Sequence, residues 1–139
     1  FKEVGEFLKD NAADESLAPF IKPLKAGLDD LQKATMWFIQ NALTRPDNAG
    51  GGATDYMHLF GLVVLGQMWA LIAKTAHERI AAGDPRAERL KNDLQVGSAF
   101  VARTLPETGL RLARIMAGAV AKANGPAADA LMAIPEAAF

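Results

Sequence analysis

Residues 53–80 read ATDYMHLFGLVVLGQMWALIAKTAHERI, and the rest of the chain is arranged around this stretch. Leu59, Leu62, Gly66, Trp69, Ala73, Ala76 and Ile80 step by three and four, the spacing of one helix face. Met57, Phe60, Val63, Val64, Leu65 and Met68 fill the other faces, so the first two-thirds are apolar on nearly every side. Such a helix is expected to be enclosed, by other helices or by lipid. A bilayer span needs about 20 apolar residues. Here His58 and Gln67 interrupt the run, and Asp55 and Lys74 close it. The expectation is therefore the central helix of a soluble helical bundle, with no membrane span.

On either side the pattern continues. Upstream, Ile21, Leu24, Leu28, Leu31, Thr35, Phe38 and Ala42 alternate by three and four, the seam of a left-handed bundle. This second helix is expected from about Ser16 or Leu17 to Leu43, with Ser16 as its N-cap. Pro19 suits a first turn, whereas Pro23 is expected to kink the helix or delay its start. Lys25, Asp29, Asp30, Gln32 and Lys33 fall off the seam and face water. Before it, Val4, Phe7 and Leu8 mark a short helix or helix end, broken by the polar run Asn11 to Ser16.

Between the two long helices, TRPDNAGGGATD (44–55) reads as a loop. Pro46 stops the preceding helix and three consecutive glycines oppose helix formation. Thr54 or Asp55 then caps the central helix. Two helices of about 40 Å each, joined by a short connection, favour an antiparallel pair.

Downstream, Gly83 ends the central helix, and Asp84-Pro85 supplies an N-cap and a first helical position. Leu90, Leu94, Gly97, Val101 and Thr104 form the next seam. Leu105-Pro106 breaks the chain, Pro106 and Glu107 open a new turn, and Leu110, Ala113, Ala117 and Val120 carry the pattern to about Ala123. Asn124-Gly125-Pro126 is a stop signal, and the tail after it suits one more short helix. No stretch has strand periodicity. The expected fold is all-α: an antiparallel four-helix up-and-down bundle with an extra N-terminal helix or helix end, residues 1–139 forming a single domain.

Composition narrows the function. Half of the 139 residues are hydrophobic, enough for a real core, and the net charge of −1 points neither to nucleic acid nor to an anionic membrane. Residues 1–30 hold four basic and seven acidic side chains, and residues 84–122 seven basic and four acidic, as solvated helix faces do. The absence of cysteine removes disulfides, thiolate zinc sites and cysteine nucleophiles, and suits the cytoplasm, the expected location. No signal peptide is visible at FKEVGEFLKD. The chain begins at Phe1, inside an amphipathic pattern, and is expected to be a fragment of something longer.

Catalytic groups are scarce. A di-iron bundle needs several inward acids and Glu-x-x-His pairs, and no such pair exists. His58 and His77 lie about 28 Å apart along one helix and cannot share a metal. His58 is expected to be a partly buried, hydrogen-bonded histidine, and His77 a solvated one. The weak binding candidate is Gly50, Gly51 and Gly52: a glycine-rich loop at a helix start can offer free N–H groups to phosphate. It lacks the Lys-Ser/Thr of a P-loop and no strand precedes it. Trp37 and Trp69 are expected in the core or an interface. Gly61, Gly66 and Gly97 imply close helix approach. No catalytic and no metal-binding residue is assigned.

Several phrases carry a family resemblance: Ala34-Thr35-Met36-Trp37, Ala53-Thr54-Asp55-Tyr56 before Leu59-Phe60-Gly61, then Gly66-Gln67-Met68-Trp69-Ala70, Lys91, Phe100 and Leu105-Pro106-Glu107-Thr108. Together they resemble the C-terminal accessory domain of long bacterial acyl-CoA dehydrogenases, the acetyl-CoA dehydrogenase C-terminal-like domain, which methylthiopropanoyl-CoA dehydrogenases also carry. The similarity covers most of residues 1–125. It implies a parent flavoenzyme, an oxidoreductase acting on acyl-CoA in fatty acid metabolism. Such enzymes bind FAD, abstract an α-proton with a glutamate and pass the β-hydrogen to the flavin as hydride. The flavin site and base belong to the preceding dehydrogenase core, so no residue here inherits either role and this stretch alone is expected to be inactive. The resemblance further implies an accessory bundle packed on that core or between subunits of a homo-oligomer. The alternative is a free-standing helical interaction module.

Overall fold

The computed structural model describes residues 1–42 and 44–119, and every regular element among them is an α-helix. α1 spans Lys2–Asp10, α2 Ala18–Asn41, α3 Pro46–Ala81, α4 Ala87–Arg103 and α5 Glu107–Ala117. Four main helices and a short N-terminal one are thus present, as the periodicity predicts. The Asn124-Gly125-Pro126 stop and the expected tail helix lie outside the described residues.

α1 forms as read: Val4 and Leu8 are buried, and Phe7 packs against the core. α2 buries Ile21, Leu24, Leu28 and Leu31 of the expected seam, with Phe20, Gly27 and Ala34 beside them. Its start differs. Leu17, not Ser16, holds the N-cap position, and no side chain caps the helix. Ser16 instead donates both its N–H and its hydroxyl to Asp14 Oδ1, at 2.9 and 2.6 Å. A carboxylate two residues away is the stronger local acceptor. Pro23 lies inside α2 and the helix runs through it. Only the hydrogen bond to the Pro19 carbonyl is lost, early in the helix.

The largest departure is the expected loop 44–55. Helix α3 begins at Pro46, which is the first residue of this helix rather than the stop of the one before. Arg45, extended at φ −140 and ψ 93, has the backbone that a following proline imposes. Gly50, Gly51 and Gly52 therefore sit in the second turn of a helix. Three helical glycines cost about 1 kcal/mol each relative to alanine, and tertiary packing offsets this. Gly52 is buried, and a Cβ there would lie 2.7 Å from the Phe38 ring; one on Gly51 would rest 3.5 Å from the Ala119 backbone. Neither Thr54 nor Asp55 caps anything, since both lie inside the helix. With 36 residues against 24, α3 spans roughly 54 Å and α2 roughly 36 Å, so the two are not of equal length.

α2 and α3 meet along a continuous register. Phe38 lies over Gly52, the Thr35 and Tyr56 hydroxyls are 2.8 Å apart, Gly27 is beside Val63, and Leu24 lies over Gly66. α4 crosses α3 where Gly97 meets Trp69 and Phe20, at 2.9 and 3.0 Å from an imagined Cβ. Between α4 and α5, Leu105 is 1% exposed and reaches both Gly27 and Gly66. α4 starts later than expected: Asp84 accepts the Arg86 N–H at 2.8 Å in a turn that precedes the helix, and Arg86, not Asp84, flanks its first residue.

Two further expectations fail. The seam of α5 is not Leu110, Ala113 and Ala117, all exposed, but Thr108, Leu112 and Ile115. Both sets have helical spacing; the buried Leu105 at the helix entry sets the rotation. α5 also ends early, at Ala117, because Gly118 takes φ +68, a left-handed conformation that glycine adopts freely. Second, α3 is not enclosed all round. Its inner line is Gly52, Leu59, Val63, Gly66, Ala70, Ala73 and Ala76. Met57, Phe60, Val64, Leu65, Met68, Leu71 and Ile72 remain 36–64% exposed on the opposite side. By length and composition alone, α3 is long and apolar enough to cross a bilayer.

Candidate functional site

The polar groups that the fold gathers lie between α3 and α5. Asp55, in the third turn of α3, accepts a hydrogen bond from Arg111 Nη1 at 2.8 Å, and Arg114 Nη1 stands 3.7 Å from the same oxygen. Arg111 also reaches Glu107 at 3.6 Å, and its Nε is buried without a partner among the described residues. The Arg111 hydrogen bond holds the Asp55 carboxyl below the usual carboxylate range, against partial burial and with help from Arg114. The same contact raises Arg111. A catalytic general base needs its affinity for a proton raised toward neutrality. Asp55 is shifted the other way, so the cluster is suited to tying α5 to α3.

Other polar links extend this tie. Thr108 donates to Asp30 Oδ2 at 3.0 Å, joining α5 to α2. Asp30, expected to face water, is partly buried by that contact. Asn48 accepts the Ala119 N–H at 2.9 Å, holding the exit of α5 against the first turn of α3. No local sequence signal pairs any of these groups. Asn48 followed a proline inside an apparent loop, and the Asp55–Arg111 pair joins two helices with no local signal.

The sequence-based candidates are scattered. The backbone N–H groups of Gly50, Gly51 and Gly52 are interior helix donors directed at the preceding turn, so they are not the free N–H cradle a phosphate needs. His58 is exposed, not partly buried, and lines an open cleft of about 290 Å³ with Gly61, Leu65, Glu107 and Arg111. His77 is half-buried near Asp14. Trp37 and Trp69 both pack on the core, Trp37 edge-on to Phe38 with ring centres 5.5 Å apart, Trp69 tilted against Phe100 at 6.5 Å. Gly66 and Gly97 do mark close approach; Gly61 does not, for a Cβ there would meet nothing within 4 Å among the described residues. No group of three or more His, Cys, Asp or Glu among them could hold a metal.

The cleft of about 490 Å³ between α2 and α5 is open and offers a single cation, Lys33, within reach of Asp30. That is not an enclosed slot for a ring with donors for a pyrophosphate.

The motif residues themselves are mostly packing groups. Ala34 is fully buried, Thr35 bonds Tyr56, Gly66 lies beneath Leu24 and Leu105, and Thr108 bonds Asp30. A family model described as acetyl-CoA dehydrogenase C-terminal like matches residues 1–124. The comparison with curated proteins gives no match.

Proposed function

Since the chain belongs to the acetyl-CoA dehydrogenase C-terminal-like family, we propose that it is the accessory helical domain of an FAD-dependent acyl-CoA dehydrogenase. The family match over residues 1–124 is the observation that carries this reading. The domain packs on the dehydrogenase core of the same chain or between subunits of a homo-oligomer, in the cytoplasm, as an antiparallel up-and-down bundle in a single unit. FAD and acyl-CoA belong to the parent enzyme and bind on its core. What this chain's own residues supply is a stiff support: glycine-mediated contacts among α2, α3 and α4, and the Asp55–Arg111 tie to α5. The exposed apolar face of α3 supports the packing role, because contiguous patches of this kind mark interaction surfaces.

The test compares two proteins. The complete reading frame that contains this chain should carry FAD and reduce an artificial acceptor with an acyl-CoA. The 139-residue chain alone should do neither, by calorimetric FAD titration and the same assay. A reading frame of this size with its own start codon would overturn the proposal and leave the free-standing interaction module. Micromolar FAD binding or turnover by the short chain would overturn the division of labour.

A further inference from the structure

We infer that the outward face of α3 is a self-association surface, occupied by α3 of a second copy in antiparallel orientation. The inference deepens the between-subunits form of the accessory role and rests on that reading. Its first support is extent. Met57, Phe60, Val64, Leu65, Met68, Leu71 and Ile72 lie on one side of the helix, spaced by three or four except for the adjacent pairs Val64–Leu65 and Leu71–Ile72, and all are 36–64% exposed. No Asp, Glu, Lys or Arg occurs from Tyr56 to Ala73. Together the seven side chains leave on the order of 600 Å² of apolar surface uncovered, the upper end of what a monomer shows. Two such faces would cover about 1,200 Å², the area at which specific stable interfaces begin.

The second support is Gly61. Glycine is the poorest helix former after proline. Gly66 and Gly97 are required by Leu105, Leu24, Trp69 and Phe20, but nothing among the described residues requires Gly61. It lies within the apolar face, at an intermediate exposure. A notch on a helix face is what a neighbouring helix needs for close approach.

The third support is self-complementarity. An antiparallel pair with its twofold axis between Val64 and Leu65 sets Gly61 opposite Met68 of the second copy and Met57 opposite Ile72 of the second copy. Large side chains then meet a gap or another apolar chain, and every contact occurs twice, as a twofold interface demands. The unbranched Met68 can fill the Gly61 notch.

Sedimentation velocity on the 139-residue chain, from micromolar to sub-millimolar concentration, tests this. A dimer is expected. Leu65→Glu should weaken it at least tenfold in Kd with an unchanged helical circular dichroism spectrum, and Met68→Lys serves the same purpose where Leu65→Glu fails to fold. The chain has no cysteine, so Val64→Cys should cross-link two copies on oxidation, whereas Val96→Cys, 56% exposed on α4, should not. A monomer at all concentrations overturns the inference, as does a dimer that both charged variants leave intact. A monomer that sediments with phosphatidylglycerol vesicles overturns it in favour of lipid. The FAD and acyl-CoA comparison above judges the accessory role separately, so a failure of pairing and a failure of that role are told apart.

Discussion

The two faces of α3 are both apolar, yet they are built from different sizes of residue. The face turned to the core carries Gly52, Leu59, Val63, Gly66, Ala70, Ala73 and Ala76; the face turned outward carries Met57, Phe60, Leu65, Met68, Leu71 and Ile72. The larger side chains are mostly outside. Hydrophobicity alone would bury the large ones, because burial of apolar area is what stabilises. What decides instead is that other helices crowd one side of α3, and large groups from them and their connections, Leu24, Phe38 and Leu105, fill the space above its glycines. A helix surrounded by bulky neighbours is best buried by its smallest face, since interiors pack to near crystal density.

The comparison can be broken at several strengths. The greatest loss is expected for Leu59→Ala on the inner face, where the side chain is fully buried: about 2–5 kcal/mol by urea denaturation. A loss under about 1 kcal/mol would mean that the inner face is not the packed one.

Next come the glycine contacts. Gly97→Val and Gly66→Val should each cost about 1–3 kcal/mol by overpacking. Gly97 should be the worse of the two. Its added carbon meets the rings of Trp69 and Phe20 at 2.9 and 3.0 Å, whereas Gly66 faces the rotatable methyls of Leu105 and Leu24 at 3.2–3.3 Å. Equal tolerance at both sites would show that α3 and α4 can slide apart.

At the edge of the inner face, Asp55 gives a pH-dependent contribution. Its folded pKa lies below its ordinary value, chiefly through Arg111. That contribution is therefore present above the unfolded carboxylate pKa of about 3.9. It is lost as pH falls through the lower folded value. Asp55→Asn should be less stable than the parent near neutrality, with the gap closing in acid. Urea midpoints compared at neutral pH and in strong acid would check this; a gap independent of pH would assign the effect to packing. Asp84 has the same sign, its carboxyl held down to about 2 chiefly by Arg86, but it lies in the turn that follows α3, beside Arg79 at 3.8 Å, at the opposite end of that helix from Asp55, and serves as the comparison.

The smallest effect belongs to the outer face. In the dissociated chain, Leu65→Glu should change stability by less than about 0.5 kcal/mol, measured by urea denaturation at low protein concentration. A larger loss would show that the outer face is covered within one copy.

Much of the fold was legible because it follows from local patterns. The apolar steps of three and four mark α1, α2 and α4 with their inward residues, and Gly83 and Leu105-Pro106 mark two of the breaks. The candidate site was far less so. Gly50, Gly51 and Gly52 carry strong local propensity against helix, and only the tertiary neighbours, the Phe38 ring at Gly52 and the Ala119 backbone at Gly51, show why two of these helical positions hold glycine. His58 carries no signal that separates an exposed histidine from a buried one. Asp55 reads as a cap from its neighbours, while its true partner, Arg111, is 56 residues away.

The sequence by itself determined that this chain is all-α, where its helices broadly lie, and, through phrases such as Ala34-Thr35 and Gly66-Gln67-Met68-Trp69-Ala70, which family it joins. These rest on helix periodicity and on side chains whose packing role is tied to their identity. Only the tertiary structure decided that α3 starts at Pro46, which residues of α5 face inward, and which side of α3 is left exposed. Each of those depends on what stands opposite in space: the three-four line through Leu59, Gly66, Ala73 and Ala76 does face inward, but a helix apolar on nearly every side does not show which of its faces stays uncovered.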